Sequence, residues 1–76
     1  MQVNVLFFGK LAEIAGTNQE LREAETTDDL QKQLHLKYPA LSKEKYMIAV
    51  DKKMIKENAL LTDGCTVALM PPFSGG

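Results

Sequence analysis

Hydrophobic and polar positions alternate from Gln2 to Phe8, with Val3, Val5 and Phe7 on one side and Asn4, Leu6 and Phe8 on the other. That is the two-residue period of a strand. Gly9 ends the run, and Leu11, Ile14 and Ala15 then fall at i, i+3 and i+4 before Gly16, which predicts one or two helical turns over 10–15 and a glycine stop. Residues 18–23 form a weaker strand candidate. Leu21 is its only apolar anchor, and its polar character suits an exposed sheet edge.

The strongest helical pattern follows. Thr27 is placed to cap free backbone amides, Asp28 and Asp29 favour the positive end of the helix dipole, and Leu30, Leu34 and Tyr38 recur at i+4. Pro39 blocks continuation, so the helix is expected over about 28–38. Tyr46 to Val50 is apolar and partly β-branched, Asp51-Lys52-Lys53 reads as a polar turn, and Met54-Ile55 resumes the pattern as a hairpin. Leu60 and Leu61 precede a Thr62-Asp63-Gly64 turn, Thr66 to Met70 forms the last strand, and Pro71-Pro72 blocks further ladder hydrogen bonds.

Strand, strand, helix and then two or three strands is the order of an α+β fold, a mixed sheet of four or five strands packed on one main helix. The first and last strands are apolar enough to lie centrally, and a central pair drawn from the two chain ends would be parallel. That arrangement is the ubiquitin-like β-grasp. The parallel pairing follows from the order of elements, since periodicity does not say which strands are neighbours. The expected organisation is a domain over 1–70 with a flexible, extended tail over 71–76.

Composition narrows the function classes. A chain of 76 residues makes one domain with a thin core, because domains of this size bury only about 60% of the surface their unfolded chains expose. With 45% hydrophobic and 25% charged residues it resembles ordinary globular chains. A net charge of −1 gives no global field to attract nucleic acid. The single cysteine, Cys65, cannot close an internal disulfide, which fits a reducing compartment. The N-terminus lacks a signal-peptide pattern, and no stretch reaches the roughly 20 apolar residues of a membrane span, so a cytoplasmic protein with no membrane partner is expected.

The candidate chemistry lies at the C-terminus, Pro71-Pro72-Phe73-Ser74-Gly75-Gly76. Six extended residues reach roughly 20 Å. The prolines favour an extended base, and the glycines leave a narrow tip able to enter a confined site. A terminal Gly-Gly alone would arise by chance about once in 200 chains, so it is the combination with Pro-Pro and the β-grasp order that carries information. A carboxylate is a poor electrophile and must be activated, for instance as an acyl adenylate made from ATP, from which sulfur can displace AMP. The resulting thiocarboxylate holds its charge largely on sulfur and is nucleophilic for the reason thiolates are. Attack on a substrate leaves a transient acyl link that water resolves. Gly76 is then the reacting residue and Gly75 the tail tip, and no side chain of the chain itself has to act.

Val5-Leu6-Phe7-Phe8, Leu61-Thr62-Asp63-Gly64 and above all Ala68-Leu69-Met70-Pro71-Pro72-Phe73-Ser74-Gly75-Gly76 resemble the molybdopterin synthase small (sulfur-carrier) subunit family over essentially the whole chain. The resemblance implies a carrier that binds no cofactor itself. An ATP-dependent adenylyltransferase related to ubiquitin-activating enzymes would adenylylate Gly76, and a sulfur donor or sulfurtransferase would convert it to a thiocarboxylate. Docked on the synthase large subunit, in a heterotetramer of two large and two small subunits, the tail would pass sulfur to cyclic pyranopterin monophosphate to form molybdopterin. The pocket and its catalytic basic residues would belong to the large subunit.

Phe8 and Met70 alternate away from the core-facing residues of their strands, which places both on the sheet face opposite the helix. Met54 matches a third apolar position of the family's docking patch. With Pro71, Pro72, Phe73 and Ser74 of the tail, these are the expected partner-binding residues. Other signals weigh less. Cys65 follows a tight turn with no basic neighbour, and His35 has no second ligand at metal spacing, so no metal site is expected. Glu20, Glu23, Glu25, Asp28 and Asp29 read as a solvated face. Three other readings share the fold: a sulfur carrier for thiamine thiazole synthesis, against which Pro-Pro-Phe-Ser argues, a protein modifier joined to lysines, and a non-carrier interaction domain for which Gly75-Gly76 would be dispensable.

Overall fold

The computed structural model describes residues 1–72. Five strands, β1 (Gln2–Phe7), β2 (Gln19–Glu23), β3 (Met47–Val50), β4 (Lys53–Ile55) and β5 (Thr66–Met70), form one sheet in the order β2-β1-β5-β3-β4. The chain ends meet at its centre, where β1 and β5 run parallel with Val5 opposite Val67 and Phe7 opposite Leu69. The other neighbouring pairs are antiparallel. This is the β-grasp expected from the order of elements.

Alternation makes the core. Val3, Val5 and Phe7 of β1 and Val67 and Leu69 of β5 are buried on one face of the sheet. There they join Leu11 of α1 (Lys10–Ala15) and Leu30 and Leu34 of α2 (Thr27–Lys37) in a single cluster. Leu41 completes it from a 3₁₀ turn, Pro39–Lys43, that was not foreseen: Pro39 stops α2 and also starts the next turn at its N-terminal position, where a missing N–H costs nothing. No helix among the described residues is long and apolar enough to cross a membrane.

Two expectations are corrected locally. The cap of α2 is Thr26 and not Thr27: Thr26 has extended backbone, and its Oγ1 accepts from the Asp29 N–H at 3.1 Å. Thr27 is the first helical residue, fully buried, and its hydroxyl accepts from the Ala59 N–H at 2.9 Å and donates to Asn58 Oδ1 at 3.3 Å, stitching the helix start to the segment before Leu61. In β2 the anchor is inverted. Pairing of Asn4 with Leu21 turns Leu21 away from α2 and leaves it 61% exposed, while Glu20 and Arg22, opposite Val5 and Val3, take the helix side.

Glu20 is therefore no part of a solvated face. Its side chain is only 12% exposed, and it accepts from the Tyr38 hydroxyl, from Arg22 Nε at 2.6 Å and from Lys37 Nζ at 3.3 Å. Burial works to raise its carboxyl pKa, but the hydrogen bonds from Tyr38, Arg22 and Lys37 together outweigh burial and hold it below the ordinary carboxylate value. The same contact, with burial second, raises the Tyr38 hydroxyl above its usual range. An edge strand without apolar anchors is thus fastened to the end of α2 by a satisfied polar cluster.

The β3–β4 hairpin closes through only two residues, Asp51 and Lys52, with φ of 48° and 72°, and Lys53 already belongs to β4. Positive φ at both central positions is the geometry whose twist suits a two-residue hairpin, here built without glycine. Asp51 stabilises it by clamping onto β5: its carboxylate accepts from the Thr66 N–H at 2.9 Å, and its own N–H donates to the Thr66 carbonyl at 2.8 Å.

Candidate docking face and tail base

Among the described residues no element covers the sheet face away from α2, and alternation fixes what that face shows. One row across the strands runs Leu6, Ala68, Ala49 and Met54, each opposite the next. Met70 pairs with Met47 in the adjacent row, and Phe8 lies one residue beyond the Phe7–Leu69 pair. Two alanines at the centre, flanked by Leu6 and Met54, leave a depression where the larger side chains stand as walls. The result is a groove of about 550 Å³ lined by Leu6, Phe8, Ala49, Met54, Ala68 and Met70. Phe8 is 46% and Met54 48% exposed, and Met47 and Leu21 add exposed apolar surface at its margins. Apolar residues of this size gathered on one face make it the candidate docking surface of the described residues.

Phe8, Met54 and Met70, singled out one by one in the sequence, thus line one groove. The pattern did not reveal its floor. Ala49 and Ala68 carry no signal as single residues, and only the register that lines them up between Leu6 and Met54 makes them a site. Leu6 was visible as a companion of Phe8 in the alternation, and Met47 was hidden inside an apolar run.

The tail leaves from β5, the strand that supplies Ala68 and Met70. Pro71 rests on Gly9 so closely that a Cβ at residue 9 would lie 2.8 Å from Pro71 Cγ, and Gly9 itself has φ of 57°. The glycine between β1 and α1 therefore provides the seat on which the tail starts, a role the sequence did not show. Pro72 is exposed, and Phe73, Ser74, Gly75 and Gly76 lie outside the described residues.

The remaining candidates occupy structural places. Cys65 is buried in the core cluster. His35 Nε2 lies 2.7 Å from the Tyr46 hydroxyl, with the rings edge to face, and Tyr46 donates to Gln31 Oε1 at 3.0 Å, a bridge between α2 and the start of β3. Burial raises the Tyr46 hydroxyl pKa. Among the described residues no three His, Cys, Asp or Glu side chains come together as metal ligands.

Comparison with known proteins adds to this geometry. The profile of the ThiS family matches residues 5–76. A curated protein from Chlamydomonas reinhardtii, the molybdopterin synthase sulfur carrier subunit, is 36% identical over an 83-residue alignment that takes in 100% of both chains. Among solved structures, small archaeal modifier protein 1 from Methanosarcina acetivorans superposes with a TM-score of 0.85 at 28% identity, covering 99% of this chain and 96% of that one. A chain in the complex of subunits 1 and 2 of molybdopterin-converting factor from Helicobacter pylori superposes with a TM-score of 0.77 at 29% identity, covering 100% of each.

Proposed function

This chain belongs to the ThiS family, and from that premise we propose that it is a sulfur carrier in molybdenum cofactor biosynthesis, the small subunit of a molybdopterin synthase. One observation carries the reading: β5 lines the apolar groove with Ala68 and Met70, and the tail leaves from the end of that same strand, so a partner that covers Ala68 and Met70 meets the base of the tail. The likeness to a curated sulfur carrier over the whole of both chains supports the chemistry, and the Helicobacter pylori complex of subunits 1 and 2 supports a second subunit as the partner.

In the proposed cycle an activating enzyme of the ubiquitin-activating type spends ATP to adenylylate the Gly76 carboxylate, releasing pyrophosphate. Sulfide-level sulfur released from a donor by a thiol reductant displaces AMP and leaves the thiocarboxylate. Phe8, Met54 and Met70 dock the carrier on the large subunit, and Pro71 to Gly75 extend the tail into that subunit's pocket. The thiocarboxylate sulfur attacks a carbon of cyclic pyranopterin monophosphate as an oxygen leaving group departs, and water then breaks the C(O)–S bond, which leaves the sulfur on the pterin and returns Gly76 as a carboxylate. A second carrier supplies the second sulfur of the dithiolene, in keeping with a heterotetramer. The chain itself acts as co-substrate, with no side chain in a catalytic role.

The test is reconstitution of molybdopterin formation from the thiocarboxylated protein, the large subunit and cyclic pyranopterin monophosphate. The proposal expects product with the full chain and none with a chain lacking Gly75-Gly76. An interaction domain would keep its function after that deletion. The likeness to a protein named a modifier favours one alternative reading, covalent attachment to other proteins, which would appear as adducts of higher mass in cell extracts and vanish on the same deletion.

A further inference from the structure

The docking groove has two unlike ends. At the tail end stand Phe8, Met70 and Met47, all apolar. At the other end the lining passes through Thr66 to the hairpin tip, where Asp51 and Lys52 are the only charged residues of the lining among the described residues. Their charges are not equivalent. The Asp51 carboxylate is already engaged, accepting from the Thr66 N–H at 2.9 Å. Lys52 is exposed and forms no ion pair among the described residues. It also sits at φ of 72°, where glycine would be unstrained, on a turn clamped to β5 through two hydrogen bonds of Asp51. A cation thus stands on a clamped turn at the mouth of an apolar groove, beside a carboxylate that the Thr66 N–H already engages.

We infer that the groove receives a segment of the large subunit that lays a large apolar side chain over Ala49 and Ala68 and presents a carboxylate to Lys52. This rests on the docking reading proposed above and specifies the chemistry of its partner. Spacing adds a constraint. From Thr66 to Met70 is four residues along a strand, or about 13 Å, so the carboxylate sits about that far from the apolar contact made at Phe8 and Met70. Shape selects the apolar side chain, and the charge sets orientation: a segment laid in reverse would bury its carboxylate among Phe8, Met70 and Met47, where nothing pairs with it.

The experiment measures binding of the purified large subunit to the full chain at low and high ionic strength. Lys52→Glu is compared with Lys52→Arg, with Lys52→Gly, which keeps the turn and removes the charge, and with Lys32→Glu, which makes the same change in net charge on the exposed surface of α2. Thermal unfolding of each variant confirms the fold. Because a charge at an interface rim acts mainly on the association rate, Lys52→Glu should associate about tenfold more slowly at low salt and approach wild type as salt rises. Lys52→Arg should behave as wild type, and Lys52→Gly should fall between them. Equal rates for Lys52→Glu and Lys32→Glu, with Phe8→Asp still weakening binding, would overturn the carboxylate contact and leave the docking reading standing. Failure of wild type to bind, or full binding by Phe8→Asp, would overturn both.

Discussion

Glu20 offers a sharp test of how the edge strand is held. Replacing it with glutamine keeps the shape and removes the charge that Arg22 and Lys37 face. The Lys37 contact is half exposed and worth only about 0.2–1 kcal/mol. The contacts from Tyr38 and Arg22 are mostly buried, and losing a hydrogen bond to a charged group costs about 1.5–3 kcal/mol. We expect Glu20→Gln to lose about 2–3 kcal/mol at pH 7, where a domain of 60–100 residues moves its Tm by about 4–8 °C per kcal/mol. The sign of the pH dependence follows from the depressed carboxyl. Around pH 4 the unfolded chain binds more protons at this position than the native chain does, so stability rises with pH there. The contribution is complete above the unfolded value of 4.5 and is lost as pH falls through the lower folded value. Urea unfolding followed by circular dichroism at pH 7 and pH 3 should therefore show a gap between wild type and variant at pH 7 that shrinks at pH 3. A variant within 0.5 kcal/mol of wild type at pH 7, roughly the range of ordinary surface substitutions, would refute the reasoning. So would a gap of the same size at both pH values.

Phe8→Asp should weaken binding to the large subunit by about 2–4 kcal/mol, as loss of an interface anchor does, while leaving thermal stability near wild type because Phe8 is half exposed; calorimetric titration beside a melt checks both halves. In α2, Leu34 is fully buried and Leu36 is 84% exposed. Leu34→Ala should cost about 2–5 kcal/mol in urea unfolding and Leu36→Ala no more than about 0.5 kcal/mol, although both are leucines two positions apart.

What the sequence made legible divides along physical lines. Alternation in β1 and β5 named the buried face because both strands are central, and every second residue meets the core. In β2 the same logic named Leu21 and was wrong, since pattern reading has no means of seeing that Tyr38, Arg22 and Lys37 satisfy a carboxylate pointed inward. Thr26 and Thr27 are chemically equal as caps. Only the tertiary contact with Asn58 and Ala59 draws Thr27 into the helix and leaves the cap to Thr26. Pro39 is legible as a helix stop, whereas its second role at the start of the 3₁₀ turn appears only in the folded chain. At the candidate site, bulky residues such as Phe8, Met54 and Met70 announce themselves, whereas Ala49, Ala68 and Gly9 matter for the space they leave, which appears only once the register between strands is known.

Conversion of Gly76 to a thiocarboxylate changes the intact mass of the protein, which mass spectrometry reads without any downstream assay. The chain is incubated with ATP, its activating enzyme and a sulfur donor, beside a variant lacking Gly76. A gain equal to replacement of one oxygen by sulfur is expected in the full chain and no gain in the variant. An unchanged mass for the full chain, with an enzyme shown to be active on another carrier, would contradict it.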